Sequence, residues 1–172
     1  MIIRRIGGMV MLVAKAIEKM IDFYEGNLRD VEHFMKVWGY ARTIGELEGL
    51  DAKTQEILEL AAVVHDIACP LCRVKYGNTN GSNQEKESDP LVREFFKDMP
   101  VAASDVDRIS FMVCHHHTYT NVDGIDYRIL LEADFLVNAC ESQYSRSAIE
   151  AARENFYRTK AGTKLLDSMY LR

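Results

Sequence analysis

Apolar residues recur three and four positions apart along most of the chain, with short polar breaks between the runs. That period predicts amphipathic helices. A first stripe runs through Val13, Ile17, Met20, Ile21 and Tyr24 and stops at Gly26-Asn27. Asn27 is suited to cap a second helix from Leu28 to about Leu47, whose apolar face is Val31, Phe34, Val37, Trp38 and Ala41. Gly49 and Asp51 mark the next break, with Asp51 a candidate N-cap. The third helix, about Ala52 to Ala68, carries Ile57, Leu58, Leu60, Ala61, Ala62, Val63 and Val64, with Glu59 the only charge among them. A helix apolar on all sides is expected at the centre of the molecule.

Pro70 should end that helix. The Asn-, Gly-, Ser- and Lys-rich stretch from Leu71 to Ser88 then predicts one long irregular segment. Asp89-Pro90 reads as an N-cap followed by proline at the first helical position, ahead of Leu91, Phe95 and Phe96. A fifth helix from near Ser104 leads through Val106, Ile109, Met112 and Val113 into His115-His116-His117. Thr118 to Gly124 is a turn, and a sixth helix follows from Asp126 to about Glu141. Two amphipathic segments close the chain, one with Ile149, Ala152 and Phe156, the other with Leu165, Leu166 and Met169. No strand-like alternation, internal repeat or linker stands out. The expected class is all-α, a single irregular helix bundle over residues 1–172.

A chain of 172 residues is long enough to keep a hydrophobic core without disulfides or metal. Its net charge of -5 argues against a nucleic-acid polymer as partner, because such binding needs a basic face. No apolar run reaches the ~18–20 residues of a membrane helix. Cys69, Cys72, Cys114 and Cys140 are too few and too scattered for a disulfide scaffold. Arg4 and Arg5 precede the apolar stretch Ile6 to Val13, and Ala14-Lys15-Ala16 has the look of a signal cleavage site. The helical stripe runs straight across that point, so a helix in a cytoplasmic protein is the expectation.

Several ionisable residues fall where core residues belong. His65 lies four after Ala61, Asp66 four after Ala62, His116 four after Met112, and Asp134 four after Leu130. Positions three and four apart share one helix face. A buried unpaired charge costs several kcal/mol, so ionisable side chains on separate helices of one bundle suggest a common partner. A divalent metal offsets carboxylates and engages imidazoles together.

At this point the sequence resembles the HD superfamily of metal-dependent phosphohydrolases. His33 is followed after 32 residues by His65-Asp66, and after 68 more by Asp134. The segments Leu60-Ala61-Ala62-Val63-Val64-His65-Asp66-Ile67 and Glu132-Ala133-Asp134-Phe135-Leu136 look like that family's ligand helices, and Val37 and Ala41 follow His33 at the usual positions. The resemblance covers about Phe23 to Cys140 and is nearest the short stand-alone bacterial members.

The resemblance implies one metal held by His33, His65, Asp66 and Asp134. Such a donor set suits Mn, Fe, Co, Ni or Zn and tolerates Mg. It implies hydrolysis of a small phosphorylated substrate, a nucleotide among the candidates, with Asp66 touching both metal and attacking water. In some branches histidines at the place of His115 to His117 serve a second metal or the substrate. Consecutive helical residues point ~100° apart, so His116 is the best aligned, with His115 or His117 at the edge.

Glu85, then Glu87, is the candidate general base from the Leu71–Ser88 segment. Lys75, Arg73, Arg93 or Arg128 would neutralise the phosphate. The family's usual Lys or Arg after the His-Asp pair is here Cys69, and Asp123-Gly124-Ile125-Asp126 does not match the Gly-Tyr-Pro of the cyclic-dinucleotide branch. Cys69-Pro70-Leu71-Cys72 lacks the strand context of a redox motif and reads as two free thiols. Two other functions fit the resemblance, a di-iron oxygenase and a nucleotide-binding module without catalysis. A homodimer is compatible with such a chain.

Overall fold

The computed structural model describes residues 2–172, with side chains described from Met11 onward. The described residues form nine helices and no strand: α1 (Ile2–Phe23), α2 (Leu28–Glu48), α3 (Ala52–Val64), α4 (Cys69–Tyr76), α5 (Gly81–Phe96), α6 (Ala103–Val113), α7 (Ile125–Glu141), α8 (Arg146–Asn155) and α9 (Lys160–Tyr170). The apolar stretch Ile6 to Val13, read above for a signal, lies mostly among residues whose side chains are outside the described ones. Among the described residues no helix is long and apolar enough to cross a membrane.

Local chemistry sets the helix ends. The Asn27 side chain accepts the Asp30 amide at the start of α2, and Asp51 accepts those of Lys53 and Thr54 at the start of α3. Gly49 closes α2 at φ 75°, a left-handed conformation that glycine adopts without a Cβ clash. α3 is central and packs against α1, α2, α6 and α7. Leu60, Ala61, Ala62, Val63 and Val64 are buried, which is why this helix shows no polar face. Its one buried charge, Glu59, is satisfied by the Trp38 indole and the Gln55 amide, each at 2.9 Å.

The Leu71–Ser88 segment departs from the sequence expectation. It is helical on both sides of a short break, in α4 and the first half of α5. The buried face of α5 runs Gln84, Ser88, Val92, Phe95 and Phe96. Its first two positions are polar, so no apolar period announces the helix. Pro90 therefore sits inside α5 instead of opening a helix. Pro90 and Lys86 both lie on its exposed face, where the Lys86 carbonyl that proline leaves unpaired meets water. The third helix likewise ends at Val64, four residues before the predicted Ala68, and His65 to Ala68 form turns.

Candidate metal centre

α2, the turn after α3, and α7 converge on one point. His33 Nε2 lies 3.2 Å from His65 Nε2. Asp66 Oδ2 approaches these nitrogens at 3.4 and 3.7 Å, and Asp134 Oδ1 at 3.4 and 3.5 Å. The other ring nitrogens are already engaged. His33 Nδ1 donates to Glu141 Oε2 at 2.9 Å, and His65 Nδ1 donates to the Ala62 carbonyl at 2.8 Å. A carbonyl only accepts, so the proton of neutral His65 sits on Nδ1 and its Nε2 presents a lone pair. The same holds for His33 when neutral, since its Nδ1 faces a carboxylate.

A second histidine pair meets the far side of Asp66. His116 Nδ1 donates to the Val113 carbonyl at 2.7 Å, while its buried Nε2 has no hydrogen-bond partner and lies 3.4 Å from Asp66 Oδ1. His117 Nε2 is also buried without a partner. Two donor groups result, His33–His65–Asp66 and Asp66–His116–His117, the ligating atoms of each lying within 4.8 Å of one another. Asp66 belongs to both.

The charges follow from this crowding. Burial alone would lower His33, yet Asp134, Asp66 and Glu141 outweigh it and raise its pKa to about 9. Burial opposes ionisation of Asp66, but His65, His116 and His33 hold it well below the usual carboxylate range. Asp134 is depressed in the same way by His33 and His65. His117 is pushed down to about 4, by burial first and then by His116, so it stays neutral.

These residues fit a metal. Opposed imidazole lone pairs and two ionised carboxylates packed together need a shared cation, and donors about 2.0–2.2 Å from one centre sit roughly 3.0–3.5 Å apart. Four of the five separations, 3.2 to 3.5 Å, fall in that range, and the His65–Asp66 separation of 3.7 Å lies just beyond it. Outer partners are in place as well: Glu141 also accepts from Lys36, and the Asn138 amide donates to Asp134 Oδ1 at 2.8 Å.

The site opens into a cavity of about 350 Å³ whose lining includes Asp30, His33, Asp66, Arg73, Asp134 and Glu141. Arg73 is clamped by Asp30 through two hydrogen bonds of 2.6 and 2.7 Å. Among the described residues, Arg29 and Arg73 are the guanidinium groups that line it. Other residues expected at the site lie elsewhere. Lys75 pairs with Glu87 on the surface, Arg93 with Asp89 and Asp107, and Arg128 donates to the Phe156 carbonyl. Glu85 accepts from the Thr118 hydroxyl, and neither it nor Glu87 lines the cavity.

His115 stacks on Phe111 at 4.5 Å and bonds the Phe111 carbonyl, away from the metal group. His117 takes the place expected of it. α6 ends at Val113, so the histidines follow a turn and not the ~100° helical step, and His116 and His117 lie with ring centroids 3.9 Å apart. Glu141, Asn138 and Asp30 escaped the sequence reading. Their signal is only helical spacing: Asn138 and Glu141 fall four and seven after Asp134, and Asp30 three before His33. Cys69 lines the cavity, its thiol pushed up by burial and by Asp66, while Cys72 is buried nearby; both are free.

This arrangement, histidine and aspartate donors gathered from separate helices around one buried point, defines a helical protein with a candidate metal site. The family model of the HD domain matches residues 30–155, and the chain belongs to that family. The matched span contains every residue of both donor groups. No curated protein and no solved structure matches the chain.

Proposed function

We propose that the protein is a metal-dependent hydrolase of a small phosphorylated substrate. The observation that carries this reading is the Asp66 carboxylate shared between two histidine groups at the floor of an open cavity. His33, His65, Asp66 and Asp134 would hold a divalent metal, and Asp66, His116 and His117 supply donors for a second. A metal bound there supplies a Lewis acid for a phosphoryl oxygen and lowers the pKa of bound water.

The protein's own groups serve that chemistry. Among the described residues, four carboxylates, Asp30, Asp66, Asp134 and Glu141, line the cavity against two guanidinium groups, so an anionic substrate fits only once cations offset them. Asp66 stays ionised and presents one oxygen to each histidine group. Asp30 fixes the Arg73 guanidinium at the mouth, where its outer edge is free to meet a phosphate. Glu141 holds the His33 ring so that Nε2 faces inward.

The test is phosphate release by protein loaded anaerobically with Mg, Mn or Zn, across a panel of nucleotides and sugar phosphates, beside Asp66→Ala. Release by wild type and none by the variant supports hydrolysis. A second reading, a di-iron oxygenase, draws on the same shared Asp66 and would show oxygen uptake dependent on iron and on His116. Oxygen uptake with an organic substrate, and no phosphate release with any metal, would overturn the first reading.

A further inference from the structure

Beside the metal-ligand candidates and the two arginines, the cavity is lined by uncharged polar and aromatic groups. Thr79 and Gln84, from the break before α5 and its first turn, line the cavity together with Tyr119 and Tyr144. No aliphatic side chain of the described residues does so. Gln84 is 4% exposed. Its Nε2 donates to the Thr79 carbonyl at 2.9 Å, and because a carbonyl only accepts, this sets which end of the amide is which. Its Oε1 is left buried with no hydrogen-bond partner. Buried acceptors are nearly always satisfied, so one that is not calls for a donor the protein itself does not supply.

The backbone holds Gln84 in place. Its amide bonds the Asn80 carbonyl at 3.1 Å, and its own carbonyl accepts the Ser88 hydroxyl at 2.7 Å. One turn earlier, Gly81 rests on the His117 ring so closely that a Cβ there would lie 2.6 Å from Cγ. The turn carrying Gln84 is therefore seated directly beside His117, and only glycine permits that approach.

We infer that Gln84 is the residue that selects the substrate's leaving group, its Oε1 accepting a hydrogen bond from a hydroxyl, so that the preferred substrate class is a phosphate ester of a hydroxyl-rich, sugar-like moiety. An alkyl phosphate would bury Oε1 unpaired. A site built to bond a hydroxyl discriminates strongly against the analogue that lacks it. This inference rests on the phosphohydrolase reading for its substrate, but the selectivity belongs to Gln84 and is measured apart from turnover.

The experiment compares ribose 5-phosphate with n-pentyl phosphate, which share the ester and chain length and differ in hydroxyls. With manganese-loaded protein, kcat/KM is measured where phosphate is released, and Kd by calorimetry in every case. Wild type is expected to favour ribose 5-phosphate by roughly 10- to 100-fold, the cost of one unpaired buried acceptor. Gln84→Leu and Gln84→Met should bring the ratio near one. In ¹⁵N-labelled wild type, the Gln84 side-chain amide signal should move on adding ribose 5-phosphate and not n-pentyl phosphate, a readout that stands even where a variant misfolds. Equal handling of both esters by wild type, a ratio that survives both folded variants, or an unmoved Gln84 signal would overturn the inference. Selective binding without phosphate release would uphold it while overturning hydrolysis.

Discussion

His33 Nε2 and His65 Nε2 face each other at 3.2 Å, although they are 32 residues apart and one belongs to α2 and the other to the turn after α3. With each Nδ1 already hydrogen-bonded, their neutral forms would oppose two lone pairs. Against the lowering effect of burial, the carboxylates of Asp134, Asp66 and Glu141 raise the His33 pKa to about 9, so without a metal a proton occupies this ring. Metal and proton thus compete for the same nitrogen, and metal affinity should fall as pH drops.

Metal removal should lower Tm without unfolding the protein at ordinary temperature. Ligand that binds only the native state stabilises by about 2.7 kcal/mol at a hundredfold excess over Kd. The core on α3 is closed independently of the site, with Phe34, Leu58, Met112 and Leu130 fully buried. Calorimetric scans before and after chelation, alongside elemental analysis, check this. A chelated protein without a cooperative transition would contradict it.

Glu141→Gln should weaken metal binding by roughly 10–100-fold, because Glu141 orients the His33 ring and strengthens its basicity. Titration with a competing metal indicator gives the shift. Unchanged affinity would mean that His33 is held by packing alone.

Arg73→Ala should raise KM for a phosphate ester about tenfold, equivalent to 1.4 kcal/mol, with a smaller change in kcat. Asp30→Asn should give a weaker effect of the same kind, since it loosens the guanidinium but keeps it. Steady-state kinetics decide; a fall in kcat alone would give Arg73 a different role.

Glu132→Ala should destabilise by about 3 kcal/mol, or roughly 6–12 °C in Tm. The buried Glu132 carboxylate accepts the Arg158 amide at 2.7 Å, the Thr159 amide at 3.0 Å and the Thr159 hydroxyl, tying α7 to the start of α9. Metal stoichiometry should be unaffected, so a melt and a metal assay on one sample separate the two roles.

Asp51 gives a pH signature. Hydrogen bonds from Thr54 and Lys53 lower its pKa in the folded protein. A depressed carboxylate contributes stability above its unfolded pKa and loses it as pH falls through the folded value. The Tm gap between wild type and Asp51→Ala should be open at pH 7 and close in the acid range below the ordinary aspartate pKa. A gap independent of pH would assign the effect to helix propensity.

Helix caps and the core of the site could be read from the chain because both are local. Asn27 and Asp51 stand one residue before their helices, and His65, Asp66 and Asp134 fall at core spacing on apolar stripes, while His33 was legible only through the family resemblance. α5 could not, because periodicity reports burial against apolar neighbours and its inner face opens with the polar Gln84 and Ser88, of which Gln84 lines the cavity. The choice of His117 over His115 depended on where α6 stops, and that of Arg73 over Lys75, Arg93 and Arg128 on which surface each helix presents to the cavity. Side-chain direction past a helix end and contacts between distant helices arise only when the bundle closes. The sequence alone determined an all-α chain and the order of its candidate histidine and aspartate ligands; tertiary packing decided which side chains share the cavity with them.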